Sequence, residues 1–205
     1  MRIEKSLLAE LPGFAISGAV MLIPPADRLL RGVGFEGSGL DKASFYAWVF
    51  VMPLCVPTDH LYFNFGKRIR HGGIERWNKA SPDILPELSA AIKSQAIPFL
   101  YSANSLLDFA EMARQFNEKN PHTLRAIAYS LARVGEIRRA IDILDRLIVL
   151  CDLAIPWQGE LAQEAQSLRS KLFENPEEAQ RQLKTWESKT INNLGLAEER
   201  RTSTV

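Results

Sequence analysis

At 205 residues, with 46% hydrophobic and 24% charged residues, the chain has the balance of a globular protein able to bury a real core. Lys and Arg number 25 against 24 Asp and Glu, a formal charge of +1, without the basic excess of a dedicated nucleic-acid binder. The apolar stretch 14–23 follows Glu4 and Glu10 and is too short to span a bilayer, which argues against a secretory signal or membrane segment.

Residues 1 to about 80 hold most of the glycines and the alternating patterns, so the N-terminal part is expected to form a sheet with packing helices. Residues 29–35 read as a strand, and residues 37–39 as a loop. Residues 45–52, FYAWVFVM, are apolar on both faces, as a central strand should be. Pro53 and Pro57 bracket its end, because proline cannot donate to a ladder. The stretch HLYFNFGKRIRHGG, residues 60–73, then alternates. As an antiparallel strand it would place Leu61, Phe63 and Phe65 on one face and His60, Tyr62, Asn64, Arg68 and Arg70 on the other, with residues 71–73 as a flexible lip.

From Ser81 the period becomes helical. Ser81-Pro82 is read as a helix start running to about Ala96, with Pro98 as its end. Asn104 or Ser105 opens the next helix, and Asn120-Pro121 marks a restart. The whole is an α+β chain: a sheet domain over 1–100, helical hairpins over 101–195 and a flexible tail over 196–205.

Two helix pairs follow the restart. Leu124, Ala128 and Leu131 lead through Gly135 to Ala140, Leu144 and Leu147. Leu161, Ala165 and Leu168 lead through Asn175-Pro176 to Ala179, Leu183 and Trp186. Small residues at such places let helices approach closely, while large ones fill the seam. The first pair, residues 123–148, resembles a single tetratricopeptide-type hairpin, with its turn glycine and second-helix alanine in the family's places. The second pair departs from that pattern in turn length and in replacing Gly by Asn-Pro. In the first half, Gly34-Phe35, the strand around Trp48, HLYFNFG, Trp77 and the helix ending in Pro98-Phe99-Leu100 resemble small uncharacterised bacterial α+β domains, immunity-protein candidates among them.

Chemistry has few footholds. His60, Tyr62, Asn64, Arg68 and Arg70 could hold a small anion, since guanidinium groups donate in a fork and His exchanges a proton near neutrality. The plain alternative is the wet side of a sheet. His60, His71 and His122 show no metal-ligand spacing, so no metal is expected. No nucleophile motif is present, and no cofactor is expected. GVGFEG at 32–37 has dinucleotide-motif spacing but no helix opening after it, so its glycines are read as a bulge and hairpin bend. Lys67, Arg68, Arg70, Arg76 and Lys79, beside Tyr62 or Trp77, are the nucleic-acid candidates, disfavoured by the near-neutral charge. Glu177-Glu178 favour a helix N-terminus, and Glu198-Glu199 lie in the tail. Cys55 and Cys151 sit in apolar runs and read as free thiols in a reducing cytoplasm. The expected function is therefore non-enzymatic binding of another protein, immunity-like in kind, through the helical hairpins. Trp157 and Trp186 are the candidate anchors, with core packing favoured for Trp186. The rival is an enzyme or anion binder using the His60–Arg70 face.

Overall fold

A computed structural model describes residues 3–18, 20–39 and 41–196. The chain is α+β, and its contacts divide it into two compact units. The first comprises residues 1–52, 61–102 and 195–205, the second 53–60 and 103–194. The short piece 53–60, which the sequence pattern groups with the sheet, thus clusters with the helices.

The first unit begins with a short helix α1 (Ile3–Leu8) and the strands β1 (Ala15–Ser17) and β2 (Val20–Leu22). They form an antiparallel hairpin from the apolar stretch 14–23, turned at Gly18 with φ 61°. Strands β3 (Leu29–Gly37) and β4 (Ser44–Pro53) follow, then β5 (Gly66–Arg68) and β6 (Arg76–Asn78). The sheet order is β1-β2-β3-β4-β5, with β6 on β4 as well. Strand β4 is central as its apolar run predicts, and Val49, Phe50, Val51 and Met52 are all fully buried.

One edge of β4 is served twice by the returning chain. β5 pairs with Trp48, Val49 and Phe50, and β6 with Ser44, Phe45 and Tyr46. Between them the chain makes an excursion closed by a bridge between His71 and Ile74. Gly72 and Gly73 form its turn with φ of 54° and 84°, the left-handed values that a two-residue hairpin loop needs. The expected lip is therefore a defined turn.

The alternating stretch 60–65 does not form the expected strand; only residues 66–68 enter the ladder. Thr58 explains where the chain departs. Its Oγ1 accepts from the His60 N–H at 3.3 Å and donates to the His60 carbonyl at 3.1 Å, a local turn that competes with the sheet. Phe63 instead lies over the sheet, stacked on Trp48 at 5.6 Å and tilted against Phe50 at 4.9 Å.

Gly32, Gly34 and Gly37 of GVGFEG all lie in β3, and Gly32 and Gly34 pair with β2 in unbroken register, with no bulge on that side. Gly32 is needed for close approach: a Cβ there would fall 2.6 Å from the Met21 carbonyl oxygen. At Gly34 it would fall 2.8 Å from the tip of the Phe63 ring.

The helical run after the sheet starts later and ends later than the proline signals suggest. Helix α2 (Ile84–Ala91) has Asp83 before it, a π-helical turn occupies Ile92–Ala96, and α3 (Ile97–Tyr101) carries the run past Pro98. Pro98 sits in the first turn of α3, where its missing N–H is tolerated. The Ile97 N–H reaches the carbonyl of Ile92, which widens the turn instead of breaking the helix.

The second unit is helical. Ser105 caps α4 (Leu106–Ala113), with a reciprocal bond between its side chain and Asp108. Asn120 caps α5 (Pro121–Arg133), and Gly135 turns the chain into α6 (Ile137–Leu150) with φ 87°. Helices α7 (Pro156–Glu174) and α8 (Pro176–Asn193) meet at Asn175-Pro176, as the sequence predicts. Glu177 and Glu178 occupy the first turn of α8, at the positive end of its dipole. The residues at the repeated spacing are buried: Leu124, Ala128, Leu131, Ala140, Leu144, Leu147, Leu161, Ala165, Leu168, Ala179 and Leu183. Helix α8 also packs on α5, so the second hairpin returns onto the first helix of the pair before it. Glu198 and Glu199 lie outside the described residues.

Candidate functional site

The five residues of the proposed anion face fare differently. His60 belongs to the second unit and Tyr62, Asn64, Arg68 and Arg70 to the first. His60 is exposed and pairs with its neighbour Asp59 at 2.8 Å. Arg68 and Arg70 converge, but on Glu75: Arg68 donates at 2.9 Å, and Arg70 at 3.0 and 2.6 Å. Those bonds, Arg68 first, hold the Glu75 carboxyl below its ordinary range. One of the two positive charges is thereby matched within the fold.

Arg68 also lies over the rings of Tyr46 at 4.0 Å and Trp48 at 4.9 Å, packing its planar group against the sheet. Among the five, Arg70 alone lines a hollow of about 590 Å³ with His71, Glu87, Ser94 and Gln95. Gln95 fastens that segment, accepting from the Arg70 N–H at 3.0 Å and donating to its carbonyl at 2.7 Å.

Two of the other three basic candidates, Lys67 and Lys79, are drawn onto aromatic rings as well. Lys67 lies 5.3 Å from the Phe99 ring centre and Lys79 5.8 Å from that of Phe45. Trp77 is buried and donates its indole N–H to the Ile69 carbonyl at 3.0 Å, so it offers no stacking platform. Among the described residues no three His, Cys, Asp or Glu side chains are placed to hold a metal. No helix among them is long and apolar enough to cross a membrane.

The second unit holds a different cluster. At the start of α5, Asn120 accepts from the His122 N–H at 2.9 Å and fixes the first turn. His122 stacks on Trp157 at the start of α7, ring centres 5.0 Å apart and 7° from parallel. Residues 122, 125 and 129 share one face of α5, and 157, 160, 161 and 164 one face of α7, by helical spacing. Between them lies a cleft of about 240 Å³ lined by His122, Arg125, Trp157, Glu160, Leu161 and Glu164. Desolvation first, and then the Arg125 charge, lowers the His122 pKa from 6.5, so the ring is neutral at pH 7. Glu164 accepts from the Tyr129 hydroxyl and faces the Arg125 guanidinium at 4.0 Å. Burial above all, and then the Glu164 charge, raises the Tyr129 pKa well above its ordinary value and keeps it a donor. Glu160 has no ion-pair or hydrogen-bond partner among the described residues.

The two candidate tryptophans separate. Trp186 is half-buried and stacks on Tyr129 at 5.3 Å, 16° from parallel, so it fills the α5–α8 seam. Trp157 is 45% exposed beside the cleft. Sequence spacing nominated Trp157 but missed His122, Arg125, Glu160 and Glu164, which meet it only because α5 and α7 pack side by side.

A third group, around Cys55, is buried and closed. Burial pushes the Cys55 thiol up to about 12, helped by the Glu187 charge. Glu187 in turn pairs with Arg133 at 3.1 Å, with side-chain exposures of 4% and 9%. A thiol held that high is a packing group and not a nucleophile. Both cysteines are free.

Compared with known families, curated proteins and solved structures, the chain finds no match in any of the three.

Proposed function

We propose that this chain is a non-enzymatic protein that binds another protein through the corner where α6 passes into α7. The observation that carries the reading is a run of apolar side chains turned to solvent between residues 149 and 157. Val149 is 87% exposed and Leu153 72%, with Leu150, Ile155 and Trp157 also exposed. Exposed apolar residues scattered singly are ordinary, whereas five in one short stretch are costly unless something covers them. The return of α8 onto α5 supports the same place. It covers the α5 face bearing Tyr129 and Arg133, where an open array of helical hairpins would otherwise present its groove.

The resemblances of residues 123–148 to a tetratricopeptide hairpin and of the first half to immunity-type domains agree with a binding role in a bacterial cytoplasm. The test is capture from the native host, identified by mass spectrometry, with the wild-type chain and Leu153→Asp side by side. The expected result is a partner recovered by the first and reduced at least about tenfold by the second. Equal recovery, or no partner at all, overturns the reading.

A second reading rests on Arg70 and His71 beside the 590 Å³ hollow: a small-anion binder in the first unit. It requires inorganic phosphate to raise the melting temperature, and Arg70→Ala to abolish the rise. The protein-binding reading expects no rise.

A further inference from the structure

We infer that the cleft between α5 and α7 is an arginine clamp: it receives a guanidinium side chain of the partner protein whose apolar segment docks on the neighbouring corner. The inference deepens the protein-binding reading and rests on it, because Trp157 belongs to both surfaces.

Three features select the occupant. The first is shape. A cleft of about 240 Å³ holds one side chain, and its wall includes the parallel stacked pair His122 and Trp157, whose inner faces cover each other and leave the outer ring faces to an occupant. A planar guanidinium stacks on such rings, Trp being the best aromatic partner for a cation.

The second is charge. Two carboxylates, Glu160 and Glu164, line the cleft against one cation, Arg125. Arg125 already faces Glu164 at 4.0 Å, and Glu164 also accepts from Tyr129. The uncompensated charge is therefore Glu160, exposed and free to take the fork of an incoming arginine. His122 adds no opposing charge at pH 7, since its pKa is lowered.

The third is position. The apolar corner reaches the cleft along the chain, with Leu153 and Ile155 immediately before Pro156 and Trp157. Gln158 holds that approach in place by accepting from the Asp152 N–H at 2.8 Å. A partner segment lying on the corner would place a residue of its own over the cleft mouth. An anionic or neutral side chain there would leave Glu160 unmatched, so the partner is one with arginine among apolar residues.

The probe is N-acetyl-arginine amide, with N-acetyl-citrulline amide as the neutral isostere, titrated into the full chain. The readout is the Trp157 indole N–H resonance, assigned with Trp157→Phe. A single-residue probe is expected to bind at millimolar strength, so titration runs to about 50 mM. A saturable shift with the arginine probe, absent with citrulline and abolished by Glu160→Lys, supports the clamp. No saturable shift, an equal shift with both probes, or a shift that survives Glu160→Lys overturns it. Glu160 is exposed and unpaired, so its substitution leaves the fold intact, which the dispersion of the remaining indole resonances verifies.

The two readings fail separately. Partner capture that is lost in Leu153→Asp but unchanged in Glu160→Lys, with no arginine-specific shift, leaves the apolar corner standing and removes the clamp. An arginine-specific shift together with capture that Leu153→Asp does not weaken keeps the clamp and removes the corner.

Discussion

Arg133 and Glu187 show why residue type alone underdetermines role. Both are ordinary surface residues by composition, yet their side chains are 9% and 4% exposed and bonded to each other. Taking one partner away strands the other charge in a low dielectric. Arg133→Met should therefore cost about 3 kcal/mol or more in urea unfolding, and adding Glu187→Met should recover most of that loss. A double variant no more stable than the single would contradict the pairing. His122 offers a pH test. Trp157 stacks on its ring, and Arg125 of its own helix and Glu160 and Glu164 of α7 line the same cleft. Its folded pKa lies below the ordinary 6.5, so the unfolded chain binds the proton more readily. The stability from the neutral ring is complete above pH 6.5 and is lost as pH falls from there through the lowered value. Melting curves across pH 7 to about 5 should show a drop that His122→Gln reduces. Nothing in the sequence around His122 announces this, because the desolvation comes from α7, more than thirty residues away.

At the scale of the element, local signals succeeded where the chain's own side chains satisfy the backbone. Helix starts at Asn104 or Ser105 and at Asn120-Pro121, and a turn at Asn175-Pro176, were legible because Ser105, Asn120 and Asn175 each cap by a bond within three residues, Ser105 with Asp108 at 3.1 Å. Ser105→Ala should cost about 1 kcal/mol by chemical denaturation, while Asn104→Ala, one residue outside the cap, should cost a fraction of that. The strand expected over 60–65 misled for the complementary reason. Period-two alternation is a statement about two faces, and it needs a neighbouring strand in register to become a ladder. The Thr58 bonds close a local turn at His60, pairing with β4 begins only at Phe65, whose carbonyl accepts from the Val51 N–H, and Phe63 finds its burial against Trp48 and Phe50 instead. The same proximity sets the glycines of β3. Gly32→Ala would press on the Met21 backbone and should destabilise by about 1–3 kcal/mol. Gly34→Ala meets only the tip of the half-buried Phe63 ring and should cost less. An equal cost for the two would mean that the Phe63 ring cannot yield.

At the scale of the whole molecule, the cysteines give the simplest check. Cys55 and Cys151 are both buried and unpaired, so a reducing agent should leave the melting temperature unchanged. Native protein should react with a thiol reagent far more slowly than unfolded protein, Cys55 slowest because its thiol is held at about 12. A shift in melting temperature on reduction would reveal a bridge. By itself the sequence determined the α+β class, the central strand β4, the starts of α4, α5 and α8 and the buried spacing of the two hairpins, but not the start of α2, which lies at Ile84 and not at Ser81-Pro82. Those are set by hydrophobic period and by bonds a few residues long, which any reader of the chain can count. Only the tertiary structure decided that Glu75 joins Arg68 to Arg70, that Tyr129 is the ring on which Trp186 stacks, that Trp157 stays exposed, and that His122, Glu160 and Glu164 share one cleft. Those neighbours are brought together by packing between elements, and a linear pattern does not encode which faces will meet.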